Sequence, residues 1–160
     1  VYKRQIDAFP NLRVLFTMPN SDQGGDVIKQ SIEHYCALRA DRCRSFTSLG
    51  MRRYLSALQH VSAVIGNSSS GLVEVPSVHI PTLNIGDRQK GRPHGLSVLD
   101  CGSDYGAIVA GLNTVLSPAF RHLARTAANP YEKANTAQSI FDVIRTYPLE
   151  QLNQKSFYNL

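Results

Sequence analysis

The sequence predicts an α/β fold in which a parallel sheet carries helices on both faces. Short apolar segments typical of buried strands alternate along the chain with amphipathic segments of helical period. The sequence contains no internal repeat and no low-complexity tract. Its 160 residues and hydrophobic content of 42% suit a single domain over residues 1–160 with a sizeable core.

The first part of the chain is expected to form two strands and two helices after an initial helix tail or linker. A loop rich in turn-forming residues follows the first strand, and Asp26 stands where an N-cap would begin the next helix. The predicted order is a helix tail or linker over 1–9, a strand over 12–17, a loop over 19–25, a helix over 27–39, a strand over 42–46, its exit loop over 47–50 and a helix over 51–61.

The second part of the chain continues the alternation and ends in helices. Ser103 or Asp104 is expected to cap the first of these helices, and Ser117-Pro118 opens the next one with proline in its first turn. Asn129-Pro130 separates that helix from the last. The predicted order is a strand over 63–66, a polar turn over 67–71, a helix beginning at 72, a strand over 81–85, a short edge strand over 96–99 and helices over 105–116, 119–127 and 135–147.

The most informative stretch is the polar turn Asn67–Gly71, which we call the serine loop. It stands between a predicted strand and a predicted helix, so backbone amides and the positive end of the helix dipole would face an anion such as a phosphate. Glu74 lies about one turn into that helix. The next strand leads into the basic loop, residues 86–92, at the same edge of the sheet. The cations of the basic loop are Arg88, Lys90 and Arg92.

Related motifs for nucleotide phosphates are incomplete or absent. Gly66–Gly71 fits the first six positions of a P-loop, but Leu72-Val73 replace the required Lys and Ser/Thr. The sequence has neither the dinucleotide fingerprint nor the nucleophile-elbow motif. On pattern alone, the serine loop is either a phosphate cradle or an ordinary helix start capped by Ser70. Glu74 and Arg88 likewise have simpler explanations. Glu74 would be a negative charge that is favourable near a helix start, and Arg88 would be a solvated charge in a loop.

The charge balance favours a small anionic ligand over a nucleic acid. The net charge of +5 comes from 17 Lys and Arg against 12 Asp and Glu, which are spread through the chain. No tract of five or more like charges occurs, and aromatic residues do not alternate with the basic ones. No apolar run approaches the roughly 18 residues of a membrane span. We therefore expect neither a nucleic-acid partner nor a membrane partner.

The cysteines and histidines predict no metal site and no cofactor. Cys36, Cys43 and Cys101 are an odd number without C-x-x-C spacing, which argues against a disulfide framework and a zinc site. They are expected to be reduced thiols in a cytoplasmic protein. The five histidines are scattered, and His94 alone, just after the basic loop, is expected to line a cleft.

Several segments together resemble the UDP-N-acetylglucosamine 2-epimerase family, and its hydrolysing branch most closely. The most specific is Ile65–Gly71 with Glu74, because non-hydrolysing relatives typically have Thr-Asp-Ser-Gly-Gly where this chain has Gly-Asn-Ser-Ser. Glu132 departs from the glycine that many relatives carry after Asn-Pro-Tyr. The other matching segments are Met18–Asp22, Pro81–Gly86, Arg88–Arg92, Asn129–Tyr131 and Lys155–Tyr158.

The resemblance covers essentially the whole chain but only the carboxy-terminal half of the family's length. It implies two Rossmann-like domains facing each other across a cleft, as in the glycosyltransferase B class, with this chain as the second domain. A chain that starts at Val1 fits a fragment of a longer protein. The missing amino-terminal domain would be its partner and would carry the catalytic carboxylates, so no catalytic residue is assigned here. The full-length enzyme is expected to be a homo-oligomer.

The resemblance also implies roles for individual residues towards UDP. Ser68 and Ser69 would hold the diphosphate, and Glu74 would accept hydrogen bonds from the ribose hydroxyls. Asn20 and Asp22 would lie near the sugar and the domain interface. The expected UDP-binding residues are Ser48 (near the uracil), Asn67, Ser68, Ser69, Ser70, Gly71, Glu74 and Arg88, the last on the diphosphate or facing the sugar.

The function that this resemblance implies is that of a cytoplasmic, hydrolysing UDP-N-acetylglucosamine 2-epimerase. Such an enzyme converts its substrate and water to N-acetylmannosamine and UDP by eliminating UDP and then adding water with inversion at C2. The isolated domain is expected to be inactive. The alternatives are a non-hydrolysing epimerase, the donor domain of a glycosyltransferase and, from a different class, a non-enzymatic nucleotide or nucleic-acid binding module. The sugar, N-acetylglucosamine or a diacetamido-dideoxy relative, stays open.

Overall fold

The structure is a computed structural model that describes residues 3–19 and 25–148. These residues form two compact units, one ending at Pro130 and the other beginning at Tyr131. Parallel strands and helices confirm the predicted α/β class. The elements are α1 Lys3–Asp7, β1 Val14–Thr17, α2 Gly25–Leu38, β2 Cys43–Phe46, α3 Gly50–Leu58, β3 Val64–Gly66, α4 Ser70–Val73, a 3-10 helix Val75–Val78, β4 Thr82–Ile85, β5 Val98–Cys101, α5 Tyr105–Leu116, α6 Pro118–Thr126 and α7 Thr136–Thr146.

Every strand pair in the described residues is parallel. β1 pairs with β2, and β4 lies between β3 and β5, so the predicted edge position of the last strand is confirmed. The strands form two separately hydrogen-bonded sheets, one of two strands and one of three, whereas the sequence predicts a single sheet. β3 is only three residues long, and its ladder runs to β4.

The core beside β4 fixes the position of the candidate site. All four residues of β4 are buried, and Leu83 and Ile85 pack against the inner face of α5. Gly111 of α5 makes close packing possible, because a Cβ there would lie 2.5 Å from Leu83 Cδ1. The strand that leads into the basic loop is therefore packed closely against α5. The buried residues of this core are Leu83, Ile85, Ile108, Leu112 and Val115.

A second core cluster joins α1, α2 and β2 through Ile6, Tyr35, Cys36 and Cys43. Burial raises the pKa of the Cys43 thiol. Cys36, Cys43 and Cys101 are all free, in agreement with the predicted thiols.

A cluster of polar contacts around Asp7 closes this second core. Arg39 and Arg42 donate to the Asp7 carboxylate at 2.7 and 2.9 Å, and Tyr35 Oη donates to it at 2.7 Å. Burial acts to raise the pKa of Asp7, but the Tyr35 hydrogen bond and the two arginines outweigh it, and the pKa lies below its ordinary value of 3.8. Burial and the bond to Asp7 raise the pKa of Tyr35 to about 12.

The capping predictions have mixed outcomes. Asp104 caps α5 by accepting from Ala107 N at 2.9 Å, and Ser117 caps α6 by accepting from Phe120 N at 3.2 Å. The prediction that Asp26 is an N-cap is wrong, because α2 already includes Gly25 and Asp26 lies in its first turn. There the Asp26 carboxylate is favourable by its charge near a helix start.

The unit that begins at Tyr131 contains α7. Gln138 donates to Asp142 Oδ1 at 3.0 Å, one turn along the helix. No residue of α7 is buried, and Ile140, Val143 and Ile144 are exposed. In the described residues, no helix is both long and apolar enough to span a membrane.

We predict that Asp7→Asn lowers the free energy of unfolding at about pH 6 and lowers it by a smaller amount as the pH falls below 3.8. A carboxylate whose pKa is lowered on folding stabilises the fold above its unfolded pKa, and this contribution is lost as the pH falls through the folded value. The gap between wild type and variant, measured by urea unfolding, should therefore narrow below pH 3.8. Asp41→Asn, at an exposed carboxylate, is the control. A gap that stays constant with pH would contradict this account.

Candidate functional site

The serine loop and the basic loop begin at neighbouring strand ends. Gly66 of β3 pairs with Asn84 of β4 in a parallel ladder, so the two loops leave the same edge of the sheet. The structure thus confirms the predicted placement of the two loops. Asn67, Ser68 and Ser69 are exposed there.

The helix that follows the serine loop is much shorter than expected. α4 spans only Ser70–Val73 and gives way to the 3-10 helix Val75–Val78. Pro76 explains the interruption, because proline has no N–H to donate and its ring disfavours the α conformation of the preceding residue. A single turn has a small dipole, so the predicted contribution of the helix dipole to anion binding is weak.

The backbone amides at the end of the serine loop and directly after it are already hydrogen bonded. Gly71 N donates to Ser68 O at 3.1 Å, and Ser70 N donates to Ser68 Oγ at 3.3 Å. The amides of Leu72 and Val73 donate to Ser69 O at 3.0 Å. Ser68 Oγ accepts in this arrangement and keeps its own hydrogen to donate. The exposed hydroxyls of Ser68 and Ser69 are therefore the donors best placed for a ligand.

Ser70 does not act as the predicted helix cap. It is the first residue of α4, and the N-cap position belongs to Ser69, whose side chain makes no capping hydrogen bond. Ser70 Oγ instead lies 2.6 Å from Tyr54 Oη of α3. This hydrogen bond fixes α4 to α3.

Glu74 stands at the junction between α4 and the 3-10 helix, half-buried. Its Oε2 atom is buried and has no hydrogen-bond partner among the described residues. Burial raises the pKa of Tyr54, the Ser70 hydrogen bond opposes this, and the negative charge of Glu74 adds to it. A buried acceptor without a partner is costly, so Glu74 has a capacity for hydrogen bonding that the fold leaves unused.

Gly71 is required by the close packing of α4 on β4. A Cβ at this position would lie 2.8 Å from Thr82 Cγ2. Thr82 cannot easily move, since it is 2% exposed and its Oγ1 donates to Gly71 O at 2.9 Å. The glycine at the end of the serine loop is thus explained by packing.

The basic loop presents its cations to solvent and turns one side chain inwards. Arg88, Lys90 and Arg92 are exposed, whereas Gln89 is 5% exposed. Gln89 Nε2 donates to the carbonyl oxygen of Asn67 at 2.7 Å. The two loops are therefore joined directly by a hydrogen bond.

A cavity of about 400 Å³ opens between the basic loop and the end of β5. His94 is among its lining residues, while the expectation that this histidine lines a ligand cleft stays a prediction. His94 Nε2 lies 3.1 Å from Asp100 Oδ2, and Asn84 Nδ2 donates to Asp100 Oδ1 at 2.7 Å. The cavity is polar, with Gln89, Lys90 and Arg92 among its other lining residues.

The remaining predicted site residues either belong to another loop or lie outside the described residues. Ser48 is exposed after β2, in the two-stranded sheet, and its Oγ accepts from Gly50 N at 3.2 Å at the start of α3. This contact gives Ser48 a structural role, and its predicted place near the uracil stays a prediction. Asn20 and Asp22 lie outside the described residues.

Comparison with known proteins shows the family. A family model described as UDP-N-acetylglucosamine 2-epimerase matches residues 3–145. The chain belongs to this family. The match confirms the family resemblance seen in the sequence, and the parallel sheets with flanking helices agree with it.

Three relatives of this epimerase-family chain are informative. The polysialic acid biosynthesis protein P7 of Escherichia coli is 35% identical over 91% of this chain and 37% of its own length. The UDP-N,N'-diacetylbacillosamine 2-epimerase (hydrolyzing) of Legionella pneumophila is 30% identical over 92% and 38%. The GDP/UDP-N,N'-diacetylbacillosamine 2-epimerase (hydrolyzing) of Campylobacter jejuni is 38% identical over 61% and 25%. The chain thus spans less than two fifths of the length of each relative.

Two residues that organise this site were not identified from the sequence. Tyr54 lies within the helix predicted over 51–61 and was given no role in the site, yet its hydroxyl reaches Ser70. Gln89 stands in a loop read mainly for its cations, yet it is the buried link to Asn67. The one signal in the sequence was that Gln89 is an uncharged polar residue between Arg88 and Lys90. That signal does not identify Asn67, 22 residues earlier, as its partner.

We predict that Gly71→Ala lowers the free energy of unfolding by roughly 1–3 kcal/mol, because the new methyl group overpacks against Thr82. Helix propensity alone would favour alanine. Thr82→Ser removes the obstructing Cγ2 and keeps the hydroxyl, so the same glycine substitution should cost less in that background. Urea unfolding of the two single variants and the double variant measures the coupling. An equal cost in both backgrounds would contradict the packing explanation.

Proposed function

We propose that this chain is the UDP-binding half of a hydrolysing UDP-N-acetylglucosamine 2-epimerase. The full-length enzyme would convert a UDP-2-acetamido sugar and water to the C2-inverted free sugar and UDP. The observation that carries the proposal is the joining of the serine loop to the basic loop at one sheet edge, through Gln89 and Asn67. Membership of the epimerase family and the names of two hydrolysing relatives support it.

The diphosphate would lie between the two loops. The hydroxyls of Ser68 and Ser69 would donate to it from one side, and the Arg88 guanidinium would approach from the other. All three residues are exposed, and Arg88 has no ion pair among the described residues. Since hydroxyl and guanidinium donors suit phosphate oxygens, the pair of loops fits an anion without a helix dipole.

Glu74 would accept hydrogen bonds from the ribose hydroxyls. A carboxylate can take two such bonds side by side, and the fold leaves Oε2 of Glu74 without a partner in the described residues. Tyr54 would position the wall of the site by holding Ser70. Ser48 would lie near the uracil, and Asn20 and Asp22 near the sugar.

These groups would assist the reaction by stabilising the leaving group. Cleavage of the anomeric C–O bond releases UDP as an anion, so donors fixed around the diphosphate act on charge as it develops. Elimination and the later addition of water at C2 also require general acid and base groups. We place those in the amino-terminal domain and propose no catalytic residue in this chain. The enzyme would be a cytoplasmic homo-oligomer.

We predict that the chain binds UDP in preference to ADP and that Glu74→Ala weakens UDP binding by about tenfold, as expected for lost hydrogen bonds to a charged acceptor. Isothermal titration calorimetry measures both affinities. Glu33→Ala, on the exposed face of α2, is the matched control and should leave the affinity unchanged. Equal affinity for the two nucleotides would contradict a site selective for uracil, and an unaffected Glu74→Ala variant would contradict the assigned ribose contact.

We predict that the full-length enzyme releases UDP and a C2-inverted 2-acetamido sugar without any acceptor, whereas this chain alone turns nothing over. Nuclear magnetic resonance of the products identifies the sugar and its C2 configuration. UDP-N-acetylglucosamine and UDP-N,N'-diacetylbacillosamine, the sugars in the family's and relatives' names, are the substrates to compare. A product still attached to UDP would indicate a non-hydrolysing epimerase, and strict dependence on an acceptor would indicate a glycosyltransferase. Measurable turnover by the chain alone would contradict the placement of the catalytic groups.

A further inference from the structure

We propose that Gln89 is a positioning residue that sets the spacing between the serine loop and the basic loop and so directs Arg88 onto the diphosphate. This inference rests on the proposed function, because it assigns a task to one residue of that same site. Gln89 itself would not touch the ligand.

The burial of Gln89 sets it apart from its neighbours in the basic loop. Its side chain is 5% exposed, while Arg88 and Lys90 on either side are exposed. An uncharged amide turned inwards between two outward cations acts as an anchor for the loop. The direction of Gln89 thereby fixes which way the adjacent Arg88 leaves the backbone.

The anchor connects the basic loop to the start of the serine loop. Gln89 Nε2 donates to Asn67 O at 2.7 Å. Asn67 is the first residue after β3 and directly precedes Ser68. Holding its carbonyl therefore fixes the point at which the serine loop begins. One side chain thus controls the distance between the hydroxyl donors and the guanidinium.

The basic loop is shaped to hold Gln89 in place. Lys90 N donates to Asp87 O at 3.0 Å, and Arg92 N donates to Gln89 O at 3.1 Å, so two successive turns enclose the residue. Gly91 occupies the second turn with a φ of +82°, a conformation that glycine adopts without strain. These turns leave the loop little freedom to move independently of Gln89.

The chemistry of the contact requires an amide. Gln89 Oε1 is buried and has no hydrogen-bond partner among the described residues. Burying an acceptor without a partner lowers the stability of the fold, which argues that Gln89 has a role beyond stabilising it. A carboxylate at this position would face the Asn67 carbonyl oxygen with another acceptor. Gln89→Glu should therefore break the contact while keeping the shape of the side chain.

The test separates positioning from simple stabilisation by comparing ligands with and without phosphates. UDP and uridine are titrated calorimetrically against the wild-type chain, Gln89→Met, Arg88→Met and the double variant. We expect Gln89→Met to weaken UDP binding about tenfold, the size expected for loss of a charge-assisted contact, and to leave uridine binding unchanged. In the Arg88→Met background the same substitution should have little further effect. Gln30→Met, at an exposed glutamine of α2, is the matched control.

A second measurement tests the link between the loops without any nucleotide. Amide hydrogen exchange of residues 67–71 should accelerate in Gln89→Met and Gln89→Glu and stay at the wild-type rate in Gln30→Met. Unchanged exchange in the Gln89 variants would overturn the inference, whatever the UDP result. Equal losses for UDP and uridine, or additive effects of the Gln89 and Arg88 substitutions, would also overturn it. Failure of the wild-type full-length protein to bind UDP would instead overturn the proposed function.

Discussion

The parallel pairing of β3 with β4 is the constraint on which the candidate site depends. Because Gly66 lies opposite Asn84 and both strands run the same way, the segments that follow them must emerge together. The serine loop and the basic loop are about twenty residues apart in sequence, and this ladder places them side by side. All four residues of β4 are buried, with Leu83 and Ile85 against α5 and Thr82 against Gly71 of α4, and this packing holds that edge in place.

The chemistry of the site differs from the familiar phosphate site at a long helix. α4 is a single turn, and its amides donate mostly within the turn itself. What remains for an anion is a pair of exposed serine hydroxyls in a loop that neighbours a loop of exposed cations. Side-chain donors are less fixed than helix amides, so the site depends on contacts that hold its walls. Those contacts are two hydrogen bonds, one between Tyr54 and Ser70 and one from Gln89 to Asn67.

The sequence was sufficient for features that depend on local signals. The strands, the long helices, the Asp104 and Ser117 caps and the polar loops at strand ends were predicted because each follows from propensity and pattern within a few residues. The family resemblance extended this to UDP. Pro76 was visible too, but it was not taken as the end of the helix after the serine loop, so the length of that helix was wrong.

The contacts that join distant residues could not be predicted in this way. Nothing in the pattern pairs Gln89 with Asn67 or Tyr54 with Ser70, because these partners meet only after the strands have paired. The same holds for Gly71, which was predicted as part of a polar turn, while the structure shows that its backbone packs closely against Thr82. The division of the strands into two sheets likewise depends on which strands meet in the folded chain.

A crystal structure of the chain with UDP tests the central claim most directly. The account predicts electron density for the diphosphate between the Ser68 and Ser69 hydroxyls and the Arg88 guanidinium, with the ribose against Glu74. The Gln89 to Asn67 hydrogen bond should be intact in the complex. UDP bound elsewhere on the chain, or bound at this edge without contact to either loop, would contradict it.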